Sequence, residues 1–237
     1  MNKRKIFTLA LAVMMIAILA VGGTLAYFMD TDSAENVFTT GNVEIDLIET
    51  FDPENAKLLP GVNVTKEVDV KNIGSEDAFV RVHIAFPAIL DSGSEDQPEF
   101  AAYNNTLHWN FTSASLADGQ WNWGTSKDAA NYPGNGGEWN FYQTTVDGIL
   151  YNVYVATYET ALKYNETTAN EAIYKVYLDT KVTNEDMTII LSELEQIKVL
   201  VFAEGGQVAT FEDEPFVALN TQFGDPMAAG YVSPWNK

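Results

Sequence analysis

Between residues 64 and 86, apolar side chains recur at every second position on both sides of one short break, a period that calls for paired strands. Val64, Lys66, Val68 and Val70 share one face, with Thr65, Glu67, Asp69 and Lys71 on the other. After Asn72-Ile73-Gly74-Ser75, the residues Ala78, Val80, Val82, Ile84 and Phe86 point one way, and Arg81 and His83 the other. Two such runs around a short Asn/Gly turn predict an antiparallel hairpin. Lys66 is the one charged residue on the apolar face, where its stem can cover core while its ammonium snorkels to an edge.

Other strands follow the same logic. Val43, Ile45 and Leu47 alternate with Glu44 and Asp46, a half-buried strand. Residues 149–158 are apolar or aromatic on both faces, as in a central strand covered on each side. Residues 171–182 read as a strand with Ala172, Tyr174, Val176 and Leu178 inward, and 197–203 as a buried strand. Asn184 caps a short helix with Met187, Ile190, Leu191 and Leu194 at helical spacing. Residues 214–223 form another, with Pro215 in its first turn and Gly224 at its end. From 91 to 148 the period dissolves, and Trp109, Trp121, Trp123 and Trp139 stand among Gly, Asn, Asp and Ser. The fold class is mainly β, an antiparallel β-sandwich with a loop-rich insertion (91–148) and a few short helices, forming a single domain over 42–237.

The beginning of the chain belongs to export rather than to the fold. Lys3, Arg4 and Lys5 precede an apolar run, Gly22-Gly23 breaks it, and Thr24-Leu25-Ala26 places small residues at a cleavage site. Residues 1–26 therefore read as a signal peptide cut between Ala26 and Tyr27 by a signal peptidase. Cleavage leaves ten basic against 33 acidic residues, a formal charge of −23. Such acidity argues against nucleic acid and anionic lipid as partners, both of which need clustered Lys and Arg. The expected product is secreted, to the extracellular matrix or cell surface, with no stable membrane association. With no cysteine, disulfides, thiolate metal sites and a Cys nucleophile are all unavailable.

Catalytic motifs are hard to find. The two histidines, His83 and His108, belong to no HExxH, and there is no GxSxG, GxGxxG or Walker pattern. No catalytic residue, metal ligand set or cofactor is assigned. Asp30, Asp32 and Glu35 lack the central Gly and twelfth-position Glu of an EF-hand loop, which leaves room only for weak calcium binding. Trp121 and Trp123 are candidate ligand-contact aromatics that would stack on glycans, against the plainer reading that tryptophans pin the insertion to the sandwich.

Several strings together resemble the TasA/camelysin family. They are Gly22 to Phe28 with Asp30 and Asp32, Asn36-Val37-Phe38, Gly41-Asn42-Val43, Pro60-Gly61, Val70 to Gly74 and Phe79 to Val82. Val201 to Glu204 with Gln207, and Ala218-Leu219-Asn220 with Phe223-Gly224, continue the match, which skips the tryptophan-rich insertion. The resemblance implies a biofilm-matrix fibre protein of Gram-positive bacteria, with a signal peptide cut by a SipW-type peptidase. It implies a jelly-roll-like sandwich and a head-to-tail homopolymer built by donor-strand exchange. Residues 27–41 would be the donor segment, with Tyr27, Phe28, Val37 and Phe38 as its strand-compatible apolar residues around an acidic middle. Camelysin-type relatives are also classed as metallopeptidases, for which this sequence supplies no ligand set. The rival expectation is a monomeric adhesin or glycan-binding module using the insertion.

Overall fold

The computed structural model describes residues 41–52, 56–90, 106–111, 121–123, 141–209, 211 and 214–236. The expected signal peptide, the expected cleavage site at Ala26 and Tyr27, and Phe28, Val37 and Phe38 of the expected donor segment lie outside these residues. So does most of the insertion.

Among the described residues ten strands, β1 (Ile45–Thr50), β2 (Val64–Thr65), β3 (Glu67–Asn72), β4 (Ala78–Pro87), β5 (Leu107–Phe111), β6 (Trp121–Trp123), β7 (Tyr142–Val146), β8 (Ile149–Tyr158), β9 (Ile173–Leu178) and β10 (Leu200–Gln207), accompany two α-helices, α1 (Asn184–Glu193) and α2 (Pro215–Phe223). All strand pairs are antiparallel. One layer runs β10-β4-β8, with β6 and β7 sharing the far edge of β8. In the second layer β1 pairs β3, and β2-β9-β5 follow. Bonds from Ala172 N to Val68 O (2.8 Å) and Thr168 N to Val70 O (2.9 Å) tie β3 to the segment leading into β9. The two parts thus continue one another. Val68 and Val70 from this layer and Val80, Val82, Ile84 and Phe86 from the other join one buried cluster, so the layers face each other.

The predicted hairpin does not form. Both edges of β3 are taken, by β1 and by residues 165–172, and both edges of β4 are taken by β10 and β8. The chain crosses from one layer to the other at Asn72, which is fully buried. Its amide donates to the carbonyls of Glu76 and Leu162, both at 2.8 Å, and accepts from Gly74 N at 2.9 Å. A Cβ on Gly74 would sit 2.6 Å from the Asn42 carbonyl, so glycine lets the start of the chain lie against this turn. Period two says which side chains share a face; it does not say whether the faces lie side by side or opposed.

A hairpin does exist where none was expected, between β7 and β8. Asp147 (φ 52°) and Gly148 (φ 82°) supply the two positive-φ residues that a tight right-twisted turn requires. On β9 the pairing with β5 shifts register so that Tyr174 is skipped, which turns it out to 38% exposure and leaves Ile173 and Val176 inside. Thr183 rather than Asn184 caps α1, in a reciprocal box with Asp186. Pro215 opens α2 and Gly224 closes it, as the sequence indicates.

Candidate functional site

The outer edges of β1 and β10 have no strand partner among the described residues. Both lie on the same side of the molecule. At one end the two close on each other, because Gly205 has no side chain: a Cβ there would meet Ile45 Cγ2 at 2.6 Å. Toward Phe51 and Leu200 they part and leave a groove of about 720 Å³. Val64, Leu107 and Val176 of the second layer line it from the core side. Phe51 and Leu58 form one wall, and Ile197, Val199 and Leu200 another, with Met187 and Leu191 of α1 beside them. Phe51 is 44% and Leu191 51% exposed, which leaves large apolar side chains facing water around the groove.

One buried cation stands in this apolar lining. Lys66 falls at the break between β2 and β3 and is itself 5% exposed. Its Nζ lies 2.8 Å from Glu49 Oε2 and 5.4 Å from the centre of the Phe51 ring. The misfit in the sequence pattern is therefore real. Its stem occupies a core position and its ammonium reaches into the groove.

The opposite face of the β10-β4-β8 layer holds a buried polar cluster. Arg81 and His83 do alternate outward from the core, yet neither is at the surface, being 1% and 0% exposed beneath α2 and residues 224–236. Arg81 Nε donates to Glu204 Oε2, Nη1 to Asn220 Oδ1 (2.8 Å) and Nη2 to the Gly224 carbonyl (3.0 Å). The guanidinium thus sits at the C-terminal end of α2, where the helix dipole favours a cation. His83 Nε2 meets Glu204 Oε2 at 3.1 Å and Nδ1 meets the Tyr142 hydroxyl at 3.1 Å, with the Tyr231 ring parallel to the imidazole. Burial alone would raise the Glu204 pKa; the His83 bond and the Arg81 charge outweigh it and hold it below the usual range. Burial pushes the Tyr231 hydroxyl up to about 12.

A depressed carboxylate pKa stabilises the fold above the unfolded-state value and ceases to do so as pH falls through the folded one. Glu204, Asp179 and Asp186 all have this sign, whereas Asp69 is raised by burial and opposes them. Urea midpoints of the wild type are therefore expected to fall as pH drops below about 4.5, the ordinary glutamate value. Glu204→Gln is expected to flatten that acid limb, and an unchanged slope would remove Glu204 as a contributor.

Trp121 and Trp123, the candidate ligand aromatics, are 0% and 3% exposed on β6. Trp121 Nε1 donates to the Asn170 carbonyl at 2.7 Å and its ring meets Tyr158 edge-on. Neither side chain offers a face to a glycan; both are packing residues. Pairing with β8 explains why, since it draws β6 under the core rather than leaving it on a loop. The groove is what sequence reading missed. Its only local signal was Lys66, because the rest of the lining comes from six separated stretches of chain.

The histidines offer no shared site. His108 Nε2 is bonded to Asp179 Oδ2 at 2.8 Å on the second layer, while His83 belongs to the first. Among the described residues no group of three or more His, Cys, Asp or Glu could hold a metal ion, so these donors do not fit a catalytic metal centre. No described helix is long and apolar enough to cross a membrane.

Fold and groove together define a two-layer antiparallel β protein with an open-edged apolar cleft. Residues 2–85, about the first third of the chain and ending within β4, are similar to the family described as camelysin metallo-endopeptidase. No curated protein matches it.

Proposed function

We propose that the protein is a secreted structural subunit of extracellular biofilm-matrix fibres, and that residues 27–41 of one subunit enter the groove of the next. The observation that carries this reading is the apolar groove at the ends of β1 and β10, two strands whose outer edges have no strand partner among the described residues. An extended peptide entering such a groove gains backbone hydrogen bonds at the edge while its apolar side chains fill the cleft. Residues 27–41 immediately precede the described domain and supply Tyr27, Phe28, Val37 and Phe38 for that purpose.

The attachment point supports a head-to-tail arrangement. Asn42 is clamped to the turn between the layers, its backbone N donating to Ser75 Oγ and its Oδ1 accepting from Ser75 N, both at 3.1 Å. Gly41 therefore leaves the fold at one end of β1, and the groove opens at the other, about 30 Å away at the rise of a strand. A segment that continues outward points away from its own groove. Donor and acceptor surfaces differ, so the contact is heterologous, and its repetition gives an open filament. Cleavage after Ala26 would free the donor end only after export.

The test is negative-stain electron microscopy of the mature chain, residues 27–237, beside a version that lacks 27–41. Filaments from the first and monodisperse particles from the second are expected. Filaments that survive the deletion, or none from the mature chain, would overturn the proposal. The metallo-endopeptidase activity in the family's description is a separate matter: chelator-sensitive cleavage of casein by purified protein would establish it.

A further inference from the structure

The donor segment carries a difficulty. Between Tyr27-Phe28 and Val37-Phe38 lie Asp30, Asp32 and Glu35, with no Lys or Arg anywhere from 27 to 41. Seating the apolar ends in one groove brings carboxylates against apolar walls, which is costly unless they find a counter-charge. The subunits are also strongly acidic and repel each other. Among the described residues two basic side chains line the groove: Lys66 within it and Lys198, exposed, beside it. Glu49 is the only acid in the lining among the described residues.

Resting on the fibre reading above, we propose that Lys66 is the specificity residue of the groove: it selects an acidic N-terminal segment of a second copy by pairing with one of its carboxylates. Among the described residues Lys66 has one carboxylate partner, Glu49, for an ammonium with three donors. The Glu49 side chain is 35% exposed against 7% for Lys66, so it can turn to water when another carboxylate arrives. Glu49 then acts as a placeholder that keeps the cation paired in the free subunit. In the filled groove it competes with the donor. The two residues therefore have opposite effects on assembly, although they form one ion pair.

That opposition is the test. Assembly of the mature chain is followed by light scattering and sedimentation in unchanged protein, in Lys66→Met, in Glu49→Gln, in the donor triple D30N, D32N and E35Q, and in K66M combined with the triple. Lys66→Met and the triple are each expected to raise the critical concentration about tenfold, the size of one charge-assisted hydrogen bond. The combination is expected to do no more than the larger of the two, because both remove the same contact. Glu49→Gln is expected to lower the critical concentration. If Glu49→Gln weakens assembly as Lys66→Met does, the pair merely supports the groove and the proposal fails. It also fails if Lys66→Met assembles like the unchanged chain, or if its effect adds to that of the triple. Should Lys66→Met not fold, the donor triple leaves the groove intact and carries the same expectation. An unchanged chain that never polymerises removes the fibre reading and this proposal with it, whereas polymerisation indifferent to Lys66 removes the proposal alone.

Discussion

Replacing Trp121 by alanine is expected to cost about 3–5 kcal/mol of stability, the range for deleting a buried indole. The residue is fully buried on a strand of only three residues, packed edge-on against Tyr158 with ring centres 5.1 Å apart. Truncation opens a cavity and also takes from the Asn170 carbonyl the indole donor that now reaches it at 2.7 Å. A domain of this size commonly has about 5–15 kcal/mol in total, so the loss is a large share of the whole. Without disulfides there is no covalent restraint to offset it. Urea denaturation at concentrations below assembly reads the effect directly. A variant within about 1 kcal/mol of the wild type, well short of the core-truncation range, would place Trp121 outside the core and return it to the role of a ligand platform.

The second large effect is expected at Glu204. Glu204→Leu removes the carboxylate shared by Arg81 and His83 and leaves a guanidinium buried without its counter-charge. Breaking such a pair from one side costs about 3–5 kcal/mol, most of it the penalty of the stranded charge. Arg81→Met strands the carboxylate instead and also takes donors from Asn220 and the Gly224 carbonyl, the contacts that hold the end of α2 to the sheet. The double variant R81M and E204L is expected to lose less than the two single losses combined, with a coupling energy toward the upper end of the roughly 0.5–3 kcal/mol range. Strict additivity in that cycle would show that the two charges do not depend on each other. The helix would be a further reporter. Phe79, Ala218 and Leu219 still pack it to the sheet, so its loss from circular dichroism in Arg81→Met would assign the docking to the polar contacts rather than the apolar ones.

Lys66 shows how far local pattern reaches. Its place on the apolar face follows from alternation, as do the inward faces of β3 and β4, while Pro215 and Gly224 mark the two ends of α2. These are properties of neighbouring residues, because side-chain direction alternates along a strand and Pro and Gly act on their own backbone. That Lys66 faces a groove, and pairs Glu49 seventeen positions away, depends on where β1 ends relative to β10. Arg81 and His83 were legible as pointing away from the core, but not as buried, since the cover over them comes from distant stretches of chain, Tyr142 of β7, α2 and residues 224–236. Tyr174 was misplaced because a bulge depends on the register of the partner strand.

Sequence by itself determined that the chain is built of alternating strands, that it is acidic and without cysteine, and that residues 1–41 differ in character from the rest. Tertiary structure alone decided that β3 and β4 oppose each other instead of pairing, and that the tryptophans of β6 are core. It also decided that two free edges part to leave an apolar cleft. The physical reason is that a period constrains one strand's faces, whereas pairing, burial and clefts depend on which distant edge is free to receive a strand. Here the buried Asn72 amide, held by the Glu76 and Leu162 carbonyls, turns the chain from one layer to the other.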